Sequence, residues 1–307
     1  MVLSKPTSFL RTLARISFAA TIVLIAFRLR LFVDSRPIEL IYRDYMDFIL
    51  FASDVLVLVT LLLWFLTLVI EKREFNFGPV FLSLPLAALT VIVIISSVNS
   101  IDVALSVYNS ARMLVLDFFY LYIVNEIQSL AWVAFPVAIQ STIHATVGIL
   151  QTLENHSLGL PALGELELDP AWSGVSIVWA AGVRSLRAYG LSDHPNILGG
   201  CFAFSLLLLA AWYLDAKPQL RGFIAGAFAL AALGLLLTFS RSAWLALASG
   251  LVAMILLLLR TRHKRAVLDF AGLAIGAFLI VLPFIFHNAS YLDVRIRAYP
   301  KMSCGRR

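Results

Sequence analysis

The sequence predicts an all-α fold: a polytopic transmembrane helix bundle of about nine spans, with the amino terminus inside and the carboxyl terminus outside. Three observations lead there. Of 307 residues, 61% are hydrophobic and only 14% charged, against roughly 25% charged in a soluble globular protein. Apolar stretches of about 18 to 24 residues recur along the chain, each able to cross a hydrocarbon core of about 30 Å as a helix that satisfies its own backbone. Basic residues gather between alternate stretches, the bias that orients a chain during insertion.

The first stretch, about 14–33, follows Lys5, Arg11 and Arg15 and has an apolar core from Ile16 to Phe27 of signal-peptide length. No small-x-small cleavage site follows it, so it reads as a retained helix, shortened by Arg28 and Arg30. Further spans are expected at about 48–70, 79–98, 103–124, 130–153, 196–214, 222–239, 242–259 and 266–286. The inner segments then collect Lys72, Arg73, Lys217, Arg221 and the R-T-R-H-K-R cluster at 260–265. The first outer loop carries Arg36 and Arg43 against the rule, beside Asp34, Glu39, Asp44 and Asp47.

The chain reads as a single integral membrane domain over 1–307, without repeats or a soluble domain. Its 154–195 segment is a long outer loop, about 42 residues, and such connections are usually functional or disordered. Trp172, Trp179 and S-G-V-S-I-V-W-A-A-G-V suggest that it packs at the outer interface. Residues 287–307 form an outer tail.

The net charge of +6 belongs to membrane orientation, which argues against nucleic acid as a partner. Cys201 and Cys304 are two isolated thiols, neither a metal site nor a disulfide framework. No hydrolase elbow, phosphate loop, zinc motif or dinucleotide fingerprint occurs, so no metal or other cofactor is expected.

The sixth and eighth helices both begin at the outer face in this orientation. Asp193 or His194 can cap the sixth, with Pro195 near its first turn, and Ser240 can cap the eighth. Unpaired amides and the helix dipole attract anions to such ends. Arg187 precedes the first and Arg241 lies in the second, each offering a planar fork that matches phosphate oxygens. Two such ends side by side would form a diphosphate-sized site, although either arginine alone reads equally well as a snorkelling residue.

Asp54, Arg112 and Asp117 interrupt apolar spans, where an ionised group needs a partner or a cavity. Asp54 and Arg112 lie roughly 9 and 13 Å below the outer ends of their expected helices, as a structural ion pair or as cavity lining. His144, among Gln140, Ser141, Thr142 and Gln151, reads as an interhelical hydrogen-bonding residue. The patterns G-F-I-A-G from Gly222 and G-L-A-I-G from Gly272 suggest close helix packing. Asn155 and Asn288 each open a three-residue glycosylation pattern, frequent by chance.

The segment R-A-Y-G-L-S-D-H-P-N-I-L-G-G at 187–200 is followed about forty residues later by L-T-F-S-R-S-A-W-L-A-L. Together they resemble the O-antigen ligase and O-antigen polymerase family. The resemblance covers about 190 to 250, with helix count and order extending it weakly over the chain. It implies a multi-pass glycosyltransferase of the bacterial cytoplasmic (inner) membrane, working on the periplasmic or outer face. Its donor would be a polyprenyl-diphosphate-linked glycan, ligated with inversion to a glycan or lipid acceptor or joined into a polymer, without cofactor. Arg187, Arg241, Arg295 and Arg297 would then hold the donor diphosphate, supported by His194, Pro195, Asn196 and Ser240.

The family's catalytic histidine lies in a large outer loop followed by further helices, and no residue here corresponds to it. His287 sits too early to be carried over, so the catalytic base is unassigned and the sequence reads as a truncated member. A membrane transporter, such as one for inorganic carbon, is the alternative, with Asp54, Arg112 and Asp117 lining a path; an inactive fragment is a third reading.

Overall fold

The computed structural model describes residues 5–34, 47–71, 74–180, 182–260 and 264–296. Among them are nine helices long and apolar enough to cross a membrane, so the chain is an all-α, multi-pass membrane protein. The described residues form two compact units, divided near Val133, with Ala26–Arg28 belonging to the second.

The first unit contains α1 (Lys5–Leu24), α2 (Ala52–Ile70), α3 (Val80–Ser97) and α4 (Val103–Glu126). It also holds an antiparallel ribbon of β1 (Arg30–Asp34) and β2 (Phe48–Phe51). The first span therefore begins and ends about nine residues earlier than the expected 14–33. The physical reason is that Arg11 and Arg15 do not flank the helix but lie within it, where acidic partners accept them. Arg11 is bonded to Glu71, and Arg15 lies 3.9 Å from Glu126. Likewise Phe48–Phe51 pairs with β1 instead of opening the second helix, which starts at Ala52.

Packing in this unit centres on Phe18, Trp64 and Tyr122, whose rings meet at 5.6 and 5.8 Å. Hydroxyls tie the helices where lipid offers no alternative partner. Ser17 donates to the Leu56 carbonyl at 3.0 Å, Thr60 donates to Ser17 at 2.9 Å, and Ser97 meets Ser110 at 2.8 Å across α3 and α4.

The second unit contains most of α5 (Ala131–Glu154), a hairpin of β3 (Ile177–Ala180) and β4 (Val183–Leu186), then α6 (Pro195–Asp215), α7 (Pro218–Leu237), α8 (Arg241–Arg260), α9 (Lys264–His287) and α10 (Ala289–Ile296). These membrane helices lie within a few residues of expectation, whereas α10 and the hairpin are additions. Gly234 lets α6 and α7 approach: a Cβ there would stand 2.8 Å from the Phe202 ring. The glycines singled out by spacing do not pack this way. A Cβ on Gly222, Gly226, Gly272 or Gly276 would meet nothing within 4 Å, because those positions face away from the neighbouring helices of the described chain.

The long connection between α5 and α6 is folded against the unit. Leu186, Ala188 and Leu191 are wholly buried, and Tyr189 and Ser192 nearly so. Trp172 and Trp179, which suggested packing at the outer interface, are exposed on the protein surface.

Candidate functional site

The site grows from two helix starts. Pro195 occupies the first turn of α6, where its missing amide hydrogen costs nothing, and the His194 Nδ1 accepts the Asn196 amide at 3.1 Å. Of the two candidate caps, His194 thus caps α6, while Asp193 is bonded to Arg28. The start of α8 lies against α6: a Cβ on Gly199 would fall 3.0 Å from the Cβ atoms of both Ser240 and Ala243.

The turn into α8 is tight. Phe239 adopts φ +47°, a left-handed conformation costly for a bulky residue. It is retained because the side chain is buried beside Leu237 and Val281 and its ring faces Tyr291. The Thr238 Oγ1 accepts the Ser240 amide at 3.3 Å, and the Ser240 carbonyl accepts the Trp244 amide at 3.0 Å, closing the first turn of α8. The Ser240 hydroxyl meets that of Ser242 at 3.3 Å.

Arg187 bolts these pieces together. Only 4% of it is exposed. Its Nε donates to the Thr238 carbonyl at 2.7 Å, Nη1 to the Ser176 hydroxyl at 2.7 Å, and Nη2 to the Asn196 side-chain oxygen at 2.6 Å. One guanidinium therefore joins the turn before α8, the start of α6 and the segment leading into β3. Burial, helped by the charge of Arg295 on α10, lowers its pKa to about 10, leaving it charged at neutral pH. The same surroundings act on its neighbours: burial raises the Tyr189 phenol, and burial followed by the Arg187 charge lowers His194.

Arg241 is the complement of Arg187. It is exposed at the first residue of α8. The structure thus brings Arg187, His194, Pro195, Asn196, Ser240 and Arg241 to one end of the second unit, with Arg295 in electrostatic reach; Arg297 lies outside the described residues. Beside them is a cleft of about 600 Å³, lined among others by Thr152, Arg184, Leu237, Phe284, His287 and Tyr291.

Several supporting residues were not singled out from the sequence for this site. The Gln151 Oε1 accepts the Gly190 amide at 2.8 Å, and its Nε2 donates to the Gly190 carbonyl at 2.9 Å and to Glu165 at 2.8 Å. Glu165 in turn accepts the Leu158 and Leu160 amides. Gly190 needs to be glycine: its φ is +58°, and a Cβ would lie 3.0 Å from His144 Nδ1. That nitrogen accepts the Leu191 amide at 3.3 Å, so His144 bonds to the connecting segment rather than to another helix. A buried glutamine at the end of an apolar helix was the available signal for this clamp. Asn155 is also engaged at both ends of its amide, with Arg184 and Leu186.

The intramembrane charges lie in the first unit. Arg112 Nη2 contacts Asp54 at 3.0 Å, joining the predicted pair. Asp54 sits in the first turn of α2, with Oδ2 accepting the Phe51 amide at 3.0 Å; its expected depth of roughly 9 Å is corrected by the later start of that helix. Asp117 has one enclosed carboxylate oxygen without a hydrogen-bond partner among the described residues. Among the described residues, no group of three or more His, Cys, Asp or Glu is arranged to hold a metal ion. Compared with protein-family models, curated proteins and solved structures, the chain matches none.

Proposed function

We propose that this multi-pass membrane protein handles a polyprenyl-diphosphate-linked glycan, as a ligase- or polymerase-like glycosyltransferase at the outer face of a bacterial cytoplasmic membrane. The observation that carries the reading is the pairing of two helix starts beneath one cluster of arginines. The first turn of α8 offers backbone amides, and both starts present the positive ends of helix dipoles, the Asn196, Ile197 and Leu198 amides of α6 being taken up by His194. Exposed Arg241 supplies a fork for anionic oxygens, while Arg187 fixes the two starts side by side.

Such a site acts on the leaving group. An acceptor hydroxyl attacks the anomeric carbon and releases its proton to water, the bond to the phosphate oxygen breaks, and the departing electron pair remains on the lipid diphosphate. Fixed positive charge there stabilises charge that grows in the transition state. The neighbouring cleft of about 600 Å³ has room for sugar units, with Phe284 and Tyr291 as apolar surfaces and Arg184 and His287 as polar ones.

The test is binding and transfer of a labelled polyprenyl-diphosphate glycan by the full chain in nanodiscs. Arg241→Ala is expected to weaken donor binding by about tenfold and to reduce transfer by about 100-fold, the range for removing a donor to a developing oxyanion. Parental binding and transfer by this variant would remove the basis of the proposal. Ion uptake into liposomes by a chain that transfers no glycan would indicate a transporter instead.

A further inference from the structure

A second cleft, of about 590 Å³, lies wholly within the first unit. Its walls are mostly apolar, including Val57, Leu58, Leu116 and Phe119, and the Asp54–Arg112 pair forms its polar part. The pair is not the parallel, two-bond arrangement that a guanidinium makes when it serves only to clasp a carboxylate. A single nitrogen, Nη2, reaches both carboxylate oxygens, at 3.0 and 3.2 Å. Nε and Nη1 have no hydrogen-bond partner among the described residues. The guanidinium lies 5.6 Å from the Phe51 ring and 5.9 Å from the Tyr108 ring, so aromatic faces hold it while half its fork stays available.

The depth of the pair suits a lipid head. Asp54 stands in the first turn of α2, while Arg112 lies about 13 Å along α4 from its start at Val103. Ser106, Tyr108, Asn109 and Ser110 precede it and M-L-V-L follows before Asp117, so the polar start of α4 gives way at Arg112 to a mostly apolar stretch, as where headgroups meet hydrocarbon. The cleft volume falls within the roughly 300–1,000 Å³ usual for small-ligand sites, enough for a head and part of one chain.

Charge selects the head. An anion alone would gain Arg112 but meet Asp54 beside it, and a cation alone would meet the reverse conflict. A head carrying both signs gives each residue an opposite charge, and a primary ammonium can donate hydrogen bonds to Asp54 where a quaternary one cannot. We infer that this cleft is a phospholipid site selective for the phosphoethanolamine head. The phosphodiester sits on the open edge of Arg112, the ammonium on Asp54, and one acyl chain runs along the apolar wall.

The experiment uses the full chain in nanodiscs doped with photoactivatable phosphatidylethanolamine, phosphatidylcholine or phosphatidylglycerol. Crosslinks are mapped by mass spectrometry. Phosphatidylethanolamine is expected to label α2 and α4 at the cleft about tenfold more than either other lipid, the discrimination that about 1.4 kcal/mol gives. Arg112→Gln is expected to abolish that preference. Asp54→Asn can still accept the Phe51 amide and so keeps the helix start, yet it is expected to shift the preference to phosphatidylglycerol, because the arginine then faces the anion unopposed. A pair that only locks two helices would change labelling by all three lipids together. Equal labelling of the parent, meaning annular lipid only, or an unchanged preference in Asp54→Asn would overturn the inference.

Discussion

Replacing Arg187 with alanine separates holding a site together from binding a ligand at it. The guanidinium makes three hydrogen bonds, at 2.6 to 2.7 Å, to groups on three different segments. A hydrogen bond from a charged donor contributes about 1.5–3 kcal/mol, and deletion leaves its acceptors without a partner. Those acceptors are neutral and removing the guanidinium also relieves its own burial, so three orphaned groups at about 1–3 kcal/mol each come to a net cost of about 3–5 kcal/mol. For a chain of this length each kcal/mol corresponds to roughly 2 °C, so melting of the detergent-purified protein is expected to fall by roughly 6–10 °C. Arg241→Ala, at an exposed position, is expected to stay within about 0.5 kcal/mol of the parent. An Arg187→Ala protein melting like Arg241→Ala would refute the bolt and leave the alignment of the two helix starts unexplained.

Gln151→Leu removes the partners of the Gly190 amide and carbonyl together and is expected to cost about 3 kcal/mol or more; faster hydrogen exchange at 189–191 is the local check. His194 gives a pH dependence. Its pKa is lowered in the folded protein from the ordinary 6.5, so the unfolded chain binds more protons and folding stability rises with pH through that region. Stability is therefore retained above about pH 6.5 and lost as pH falls below it. His194→Asn keeps a side chain able to cap, and its melting temperature is expected to change less than the parent's between pH 7.5 and 5.

The helices were legible because an 18-residue apolar window is a strong, local signal, and α5 to α9 fall close to their expected places. The start of the chain was harder to read because basic residues were assigned to flanks. Arg11 belongs inside α1, since Glu71, distant in sequence, lies beside it. The same limit applied at Phe48–Phe51, where an apolar run pairs as a strand with Arg30–Asp34 and periodicity over four residues cannot tell strand from helix. At the candidate site, helix direction and the punctuation around Pro195 and Ser240 were enough to expect two helix starts, whose adjacency the sequence left conditional. The division of labour between the arginines was not readable, because burial of Arg187 depends on Ser176 and Thr238 closing around it.

That division follows from placing irregular backbone beside membrane helices. Non-helical peptide groups near hydrocarbon must find partners within the protein. Here side chains supply them: Gln151 holds Gly190 in the manner of a neighbouring strand, His144 accepts the Leu191 amide, and Arg187 takes the Thr238 carbonyl left over where α7 ends. The charge most deeply built into the site is thus committed mainly to backbone and side-chain acceptors. Arg241, which has no side-chain hydrogen bond among the described residues and is exposed on α8, is the arginine the proposed function leaves open for a ligand. On the proposed reading, a buried cation that fixes geometry and an exposed cation that meets a ligand are separable, so the second can be lost without losing the fold.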